Sequence, residues 1–178
     1  RERFGVTVTE IAGDVSQPSV QETLLAACPD PDILVNNNAG PPFRDFRELD
    51  REKILAGVTQ NMVTPIELVK AVVDGMAARG FGRIVNITSL SVYMPIPGLD
   101  LSSGARAGLT SFLAGITRTV ADRNVTINNL LPGKLDTDRL RGPHEPGSVE
   151  DPAAAAARKT RISADIPAKR LGTPEEFG

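Results

Sequence analysis

Four polar residues stand where this chain could run a reaction: Ser89, Ser102, Arg106 and Asn61. Ser89 closes the apolar run GRIVNITS, so its hydroxyl is expected at the carboxyl edge of a sheet, the usual place for chemistry in open α/β folds. Ser102 follows thirteen residues later and Arg106 four after that, a step that puts both on one helix face. A guanidinium there supplies a fixed positive charge and a fork of donors, but it does not give up a proton at physiological pH. The hydroxyl of Ser102 is also far less acidic than a phenol, whose pKa of about 10 a nearby cation can lower. Asn61 sits inside a long helical pattern, where asparagine is a poor choice on propensity. Pro65, four residues on, has no N–H, so the carbonyl of Asn61 is left able to accept from a water. A plain helix kink is the other reading of that pair.

These residues need strands and helices to position them. Residues 6–12 (VTVTEIA) alternate and are β-branched, which predicts a strand. Ser16 and Pro18 open a helix running to about Cys28. Residues 32–37 (DILVNN) form a short continuous apolar run of the kind found in parallel strands covered on both faces. Residues 49–79 carry apolar side chains at three- and four-residue steps, a long helix stopped by Gly80 and Gly82. Residues 83–88 and 125–131 predict two further buried strands, with a helix over about 101–122 between them. Strands alternating with long helices give parallel crossovers, hence an α/β, doubly wound parallel sheet. Beyond Asp136, residues 139–147 are polar and rich in Pro and Gly, and an Ala-rich helix follows. Residues 136–172 are therefore expected to form a substrate lid, with a surface helical insertion as the alternative.

The 178 residues contain 20 Lys and Arg against 22 Asp and Glu, with 4% aromatics. Nucleic-acid binding thus has neither an electrostatic nor a stacking footprint. Cys28 is the single cysteine, so an internal disulfide is ruled out and a reducing, cytoplasmic setting is expected. Its place at a helix end suggests a packed rather than a reactive thiol. No apolar run approaches the roughly 18 residues that span a membrane. His144 is the only histidine and no metal site is expected. Both ends read as cut through elements: Gly5 closes a helix, and Thr173-Pro174-Glu175-Glu176 opens one. Residues 1–178 are accordingly expected to be the central part of a single domain.

Asp14-Val15, Asn36-Asn37-Asn38-Ala39-Gly40, Asn61, Thr88-Ser89 and Pro132-Gly133 with Thr137 fall at or near successive strand ends. In that order and spacing they resemble the short-chain dehydrogenase/reductase family, and within it the reductases acting on 3-oxoacyl-acyl carrier protein. The likeness runs along the whole chain. It implies a three-layer Rossmann-type domain, NAD or NADP as cofactor, and hydride transfer between the nicotinamide and a small-molecule carbonyl or alcohol. It also implies a homodimer or homotetramer built on the two long helices.

Residue by residue, the resemblance gives Asp14 and Val15 the adenine, with a helix cap as the alternative role for Asp14. Asn37, Ala39 and Gly40 would line the adenosine ribose. The ungapped register puts Asn37 at the family's second asparagine, Asn38 at its alanine and Ala39 at its glycine. Ser89 would polarise the carbonyl oxygen, Asn61 would hold a relay water, and Arg106 would bind the ribose. Pro132, Gly133 and Thr137 would border the nicotinamide, and Asn128 would be structural.

The sequence departs from the family at the catalytic pair: the tyrosine and lysine positions carry Ser102 and Arg106. Three explanations compete. Hydride transfer continues with another proton donor, either a water held by Ser89, Ser102 and Arg106 or the lone Tyr93. Alternatively, the site binds a nucleotide or anionic metabolite without redox chemistry, or the protein keeps the fold in a structural role. The glycine-rich phosphate loop and the residue that chooses between NAD and NADP are not in this sequence.

Overall fold

Three short runs of Ile, Leu and Val separated by long amphipathic helices make one parallel sheet. The computed structural model describes residues 4–137 and 151–177. Its strands are β1 (Ile33–Asn36), β2 (Gly82–Ile87) and β3 (Val125–Leu130), in that spatial order. Leu34 is level with Ile84 and Ile84 with Ile127; one rank further, Asn36 is level with Asn86 and Asn86 with Asn129. The strands follow the helices α1 (Pro18–Ala27), α2 (Arg51–Val58), α3 (Thr64–Arg79) and α4 (Asp100–Val120). The expected α/β architecture is present.

The core lies where α3 and α4 cover one face of the sheet. Leu68, Val69, Val72, Val73 and Met76 form the buried stripe of α3, and Leu109, Leu113 and Val120 that of α4. They close on Ile84, Val125 and Ile127. Two glycines shape this packing. Gly80 (φ +70°) takes the left-handed turn that ends α3, and Phe81 N–H donates to the Met76 carbonyl across it (3.2 Å). Gly82 does not act as a stop but opens β2. A Cβ there would lie 2.6 Å from Met76 Cβ, so its lack of a side chain lets α3 approach the strand.

Three expectations are corrected. Residues 6–12 form no strand. Alternation supplies the faces of a strand, but its backbone groups need a neighbour, and β1 pairs only with β2 among the described residues. Nor is β1 covered on both faces: Ile33 and Val35 are 60% and 58% exposed. The predicted long helix starts at Arg51, capped by the Asp50 carboxylate accepting from Lys53 N–H (2.9 Å), and it is not uniform. Thr59–Val63 form a π turn between α2 and α3.

The chain divides into two compact units, the second beginning at Pro132. Within that second unit, helix α5 (Pro152–Ser163) is capped by Asp151, whose carboxylate accepts from Ala154 N–H (3.1 Å). Leu135 bridges Gly172 in parallel, and Lys159 pairs with Asp136 at 2.6 Å. The expected helix start at Thr173 is present as the short helix α6 (Pro174–Phe177). Thr173 N–H donates to Glu176 Oε2 (2.8 Å) and Glu176 N–H to Thr173 Oγ1 (3.3 Å), a reciprocal capping box. The Pro/Gly loop 139–147, with His144, lies outside the described residues. No helix among the described residues is long and apolar enough to cross a membrane.

Candidate active site

The buried stripe of α4 does not stop at Leu109. Stepping back by three and then four residues reaches Arg106 and Ser102, which are buried although polar. The fold aims both of them inward, so each needs partners there. Ser102 Oγ donates to Asn61 Oδ1 (3.0 Å) and accepts from Arg106 Nε (3.2 Å). Arg106 Nη1 donates to the carbonyl of Ile87 at the end of β2 (2.8 Å). Asn61, 1% exposed, donates through Nδ2 to the Ala39 carbonyl (2.7 Å). One hydrogen-bonded chain therefore runs from the loop after β1, through the long helix and α4, to the end of β2.

Pro65 explains why Asn61 can take part. The Thr64 N–H reaches five residues back to the Thr59 carbonyl, and Pro65 has no N–H. The helix absorbs the mismatch as a π turn, a feature that concentrates at functional sites, and Asn61 stands at its centre.

Ser89 is placed at the sheet edge as expected, two residues beyond Ile87. It is half-buried, and its Oγ accepts from Ser91 N–H (3.1 Å), opening the short 3-10 turn Leu90–Val92. No hydrogen bond joins it to Ser102 among the described residues. Tyr93, at the end of that turn, is 78% exposed, and its phenol makes no hydrogen bond among the described residues.

Of the expected cofactor residues, Asp14 is exposed and its Oδ1 accepts from Ser16 N–H (2.9 Å); that bond holds the carboxyl below its usual range. The alternative role of Asp14 as a helix cap is not what the structure shows: the cap position of α1 is Gln17, with no side-chain cap bond, and Asp14 bonds only within the loop before it. The Val15 carbonyl accepts from Gln21 Nε2 (3.1 Å). Asn37 and Ala39 are exposed and Gly40 is half-buried. Pro132, Gly133 and Thr137 belong to the second unit, where Thr137 N–H donates to the Leu135 carbonyl (2.9 Å). Asn128 lies in β3, and its carbonyl accepts from Asn86 Nδ2 (3.4 Å). Arg44 and Arg47 stand beside Glu48 (3.8 Å) and Asp45 (3.2 Å) on the surface. Cys28 is exposed at the end of α1 rather than packed. No group of three potential metal-ligating residues is found among the described residues.

Two participants escape a reading by motif: the side chain of Asn38 and the carbonyl of Gln60, which bond at 2.8 Å. A small cavity of about 10 Å³ lies beside them, lined by Asn36, Asn61, Pro65, Asn86 and Arg106 among others. Asn36 Nδ2 donates to Asn86 Oδ1 (2.9 Å), while Asn36 Oδ1, buried, accepts from no group among the described residues.

The sequence profile of the short chain dehydrogenases matches residues 1–145. Acetoacetyl-CoA reductase of Cupriavidus necator is 37% identical over 146 residues, 82% of this chain and 55% of that protein. The 3-oxoacyl-[acyl-carrier-protein] reductase FabG of Vibrio cholerae is 31% identical over 171 residues, 94% of this chain and 66% of that one. Among solved structures, L-sorbose reductase from Gluconobacter frateurii, complexed with NADPH and L-sorbose, superposes with a TM-score of 0.86 at 26% identity. The match covers 99% of this chain and 69% of that chain. The chain thus spans between about half and two thirds of the length of the curated relatives it matches.

Proposed function

Because the chain belongs to the short-chain dehydrogenase family, we propose that it serves NAD(P)-dependent hydride transfer between the nicotinamide and a carbonyl or alcohol substrate. The observation that carries this reading is the hydrogen-bonded chain Ala39–Asn61–Ser102–Arg106–Ile87, which ties together positions the family resemblance picks out although two of them have changed residue. The reductases among its relatives favour turnover over a role in binding alone.

The exposed Asp14 and the open, mostly small loop 37–40 suit an adenosine moiety: an acid to accept from its amine, and backbone that a ribose can approach. Pro132, Gly133 and Thr137 are the candidates for the nicotinamide side. When bound, the cofactor supplies the hydride. Ser89 would donate a hydrogen bond to the substrate oxygen as negative charge develops on it. Arg106 has two nitrogens engaged with Ser102 and Ile87, so its chief task would be a fixed positive charge beneath Ser102. Its contact with the ribose would be secondary. Ser102 already donates to Asn61, so the proton would come through a water rather than from a side chain of phenol-like acidity. A cavity near the volume one water needs, with Asn36 Oδ1 as acceptor, supports that relay.

We further propose a homodimer or homotetramer through the long helices, which present Ile54, Leu55, Val63 and Phe112 at the surface. A reducing, cytoplasmic setting fits the single cysteine. The test is NADPH oxidation by the full-length protein against acetoacetyl-CoA, 3-oxoacyl thioesters, ketoses and quinones. Turnover on at least one class is expected. Intact NADPH binding with no turnover on any would contradict the proposal.

A further inference from the structure

We propose that Asn38 is a positioning residue, whose side chain holds the π turn that aims Asn61 at Ser102. The need for it follows from hydrogen bonds on either side. In an α-helix the Gln60 carbonyl would accept from Thr64 N–H, but that donor is directed to Thr59. In a π turn the partner would be residue 65, and that residue is Pro65, which has no N–H. Gln60 is thus left without either helical donor in a partly buried setting, where an unmet carbonyl is costly. Asn38 Nδ2 supplies the missing donor at 2.8 Å.

A second bond runs the other way. Asn61 Nδ2 donates to the Ala39 carbonyl at 2.7 Å, so consecutive residues of the loop and consecutive residues of the turn exchange donors. Two bonds fix orientation where one would leave a pivot. With Asn38 in place, the amide of Asn61 is fixed, and its Oδ1 faces Ser102 Oγ at 3.0 Å. Asn38 touches none of the reacting groups; it acts through Asn61. The side chain is also turned toward Gln60, which explains how a residue larger than alanine sits in the loop proposed to meet the adenosine.

This inference rests on the proposed function for its catalytic half, so the experiment has two readouts. Asn38→Ala removes the donor. Asn38→Asp keeps the shape, lacks the NH₂ group and sets a carboxylate against the carbonyl, which keeps the test open if the alanine variant folds poorly. In the full-length protein, amide exchange over residues 59–66 should accelerate roughly tenfold in both variants, the order that one buried hydrogen bond carries. Exchange over residues 83–87 and 109–120 should stay within about twofold. The turnover number should fall about tenfold while KM for cofactor and substrate stays within about twofold. Unchanged exchange over 59–66, or an equal rise in every element, would overturn the role of Asn38. If the wild-type protein turns nothing over, the exchange result still decides on Asn38, and the silence counts against the proposed function alone.

Discussion

Ser102 and Ser103 are adjacent, both buried and both hydrogen-bonded, yet their replacement by alanine should have different consequences. Ser102→Ala deprives two buried groups at once. Asn61 Oδ1 loses its donor, and Arg106 Nε, a charged donor, loses its acceptor. An unsatisfied buried polar group costs about 1–3 kcal/mol, and a charged one lies toward the upper end. Partial relaxation lowers the sum, so a loss of about 2–4 kcal/mol is expected. Ser103 Oγ donates only to the Leu99 carbonyl (2.8 Å), and that carbonyl already accepts from Ser103 N–H (2.8 Å). Ser103→Ala therefore orphans no partner and should cost about 0–1 kcal/mol. Urea unfolding of both variants in the full-length protein, with unchanged m-values, gives the comparison directly. Equal losses, or a Ser102→Ala loss below about 1 kcal/mol, would mean that the buried network is not maintained in solution.

Four further outcomes follow from particular residues. Restoring the family pair with Ser102→Tyr and Arg106→Lys together should raise the turnover number, whereas no gain would mean that more than the proton donor has changed. Glu176 is held at a pKa of about 2, against 4.5 ordinarily, first by its hydrogen bonds to Arg170 and then by Thr173 N–H. Because its pKa is depressed on folding, the support it gives α6 is complete above about pH 4.5. It should be lost as the pH falls toward 2, and a carboxyl titration of Glu176 by NMR near the ordinary value would refute the pairing. Gly82→Ala would force a Cβ against Met76 and should cost about 1–3 kcal/mol. Gly115→Ala, with nothing within 4 Å in the exposed part of α4, should instead stabilise by up to about 1 kcal/mol in thermal unfolding.

Much of the fold is legible in the sequence because it depends on local periodicity. The apolar steps through Val69, Val72, Val73 and Met76, and through Leu109, Leu113 and Val120, define α3 and α4 without reference to anything distant. Residues 6–12 show the limit of that reading, since alternation cannot say whether a neighbour exists to pair with. The site is legible in its positions and less so in its connections. Pro65 announces a disturbed helix, but the choice between a kink and a π turn depends on Asn38 and Ala39, 22 residues before their partners. The direction of Arg106 is set by the Ile87 carbonyl, a backbone group that no motif contains. A second local signal lies in α4: Ser102 and Arg106 continue the three- and four-residue steps of Leu109 and Leu113, so a helical register alone places both on the buried face.

The proposed function requires hydride transfer without a phenol at the acid position. It is tested most directly by incubating the full-length protein with NADPH deuterated on the transferred face and an active ketone or 3-oxoacyl thioester, then locating the label by mass spectrometry. One deuterium is expected on the carbinol carbon of the product, with the label lost when Ser89 is replaced by alanine. Tight NADPH binding with no deuterium in any product would contradict it.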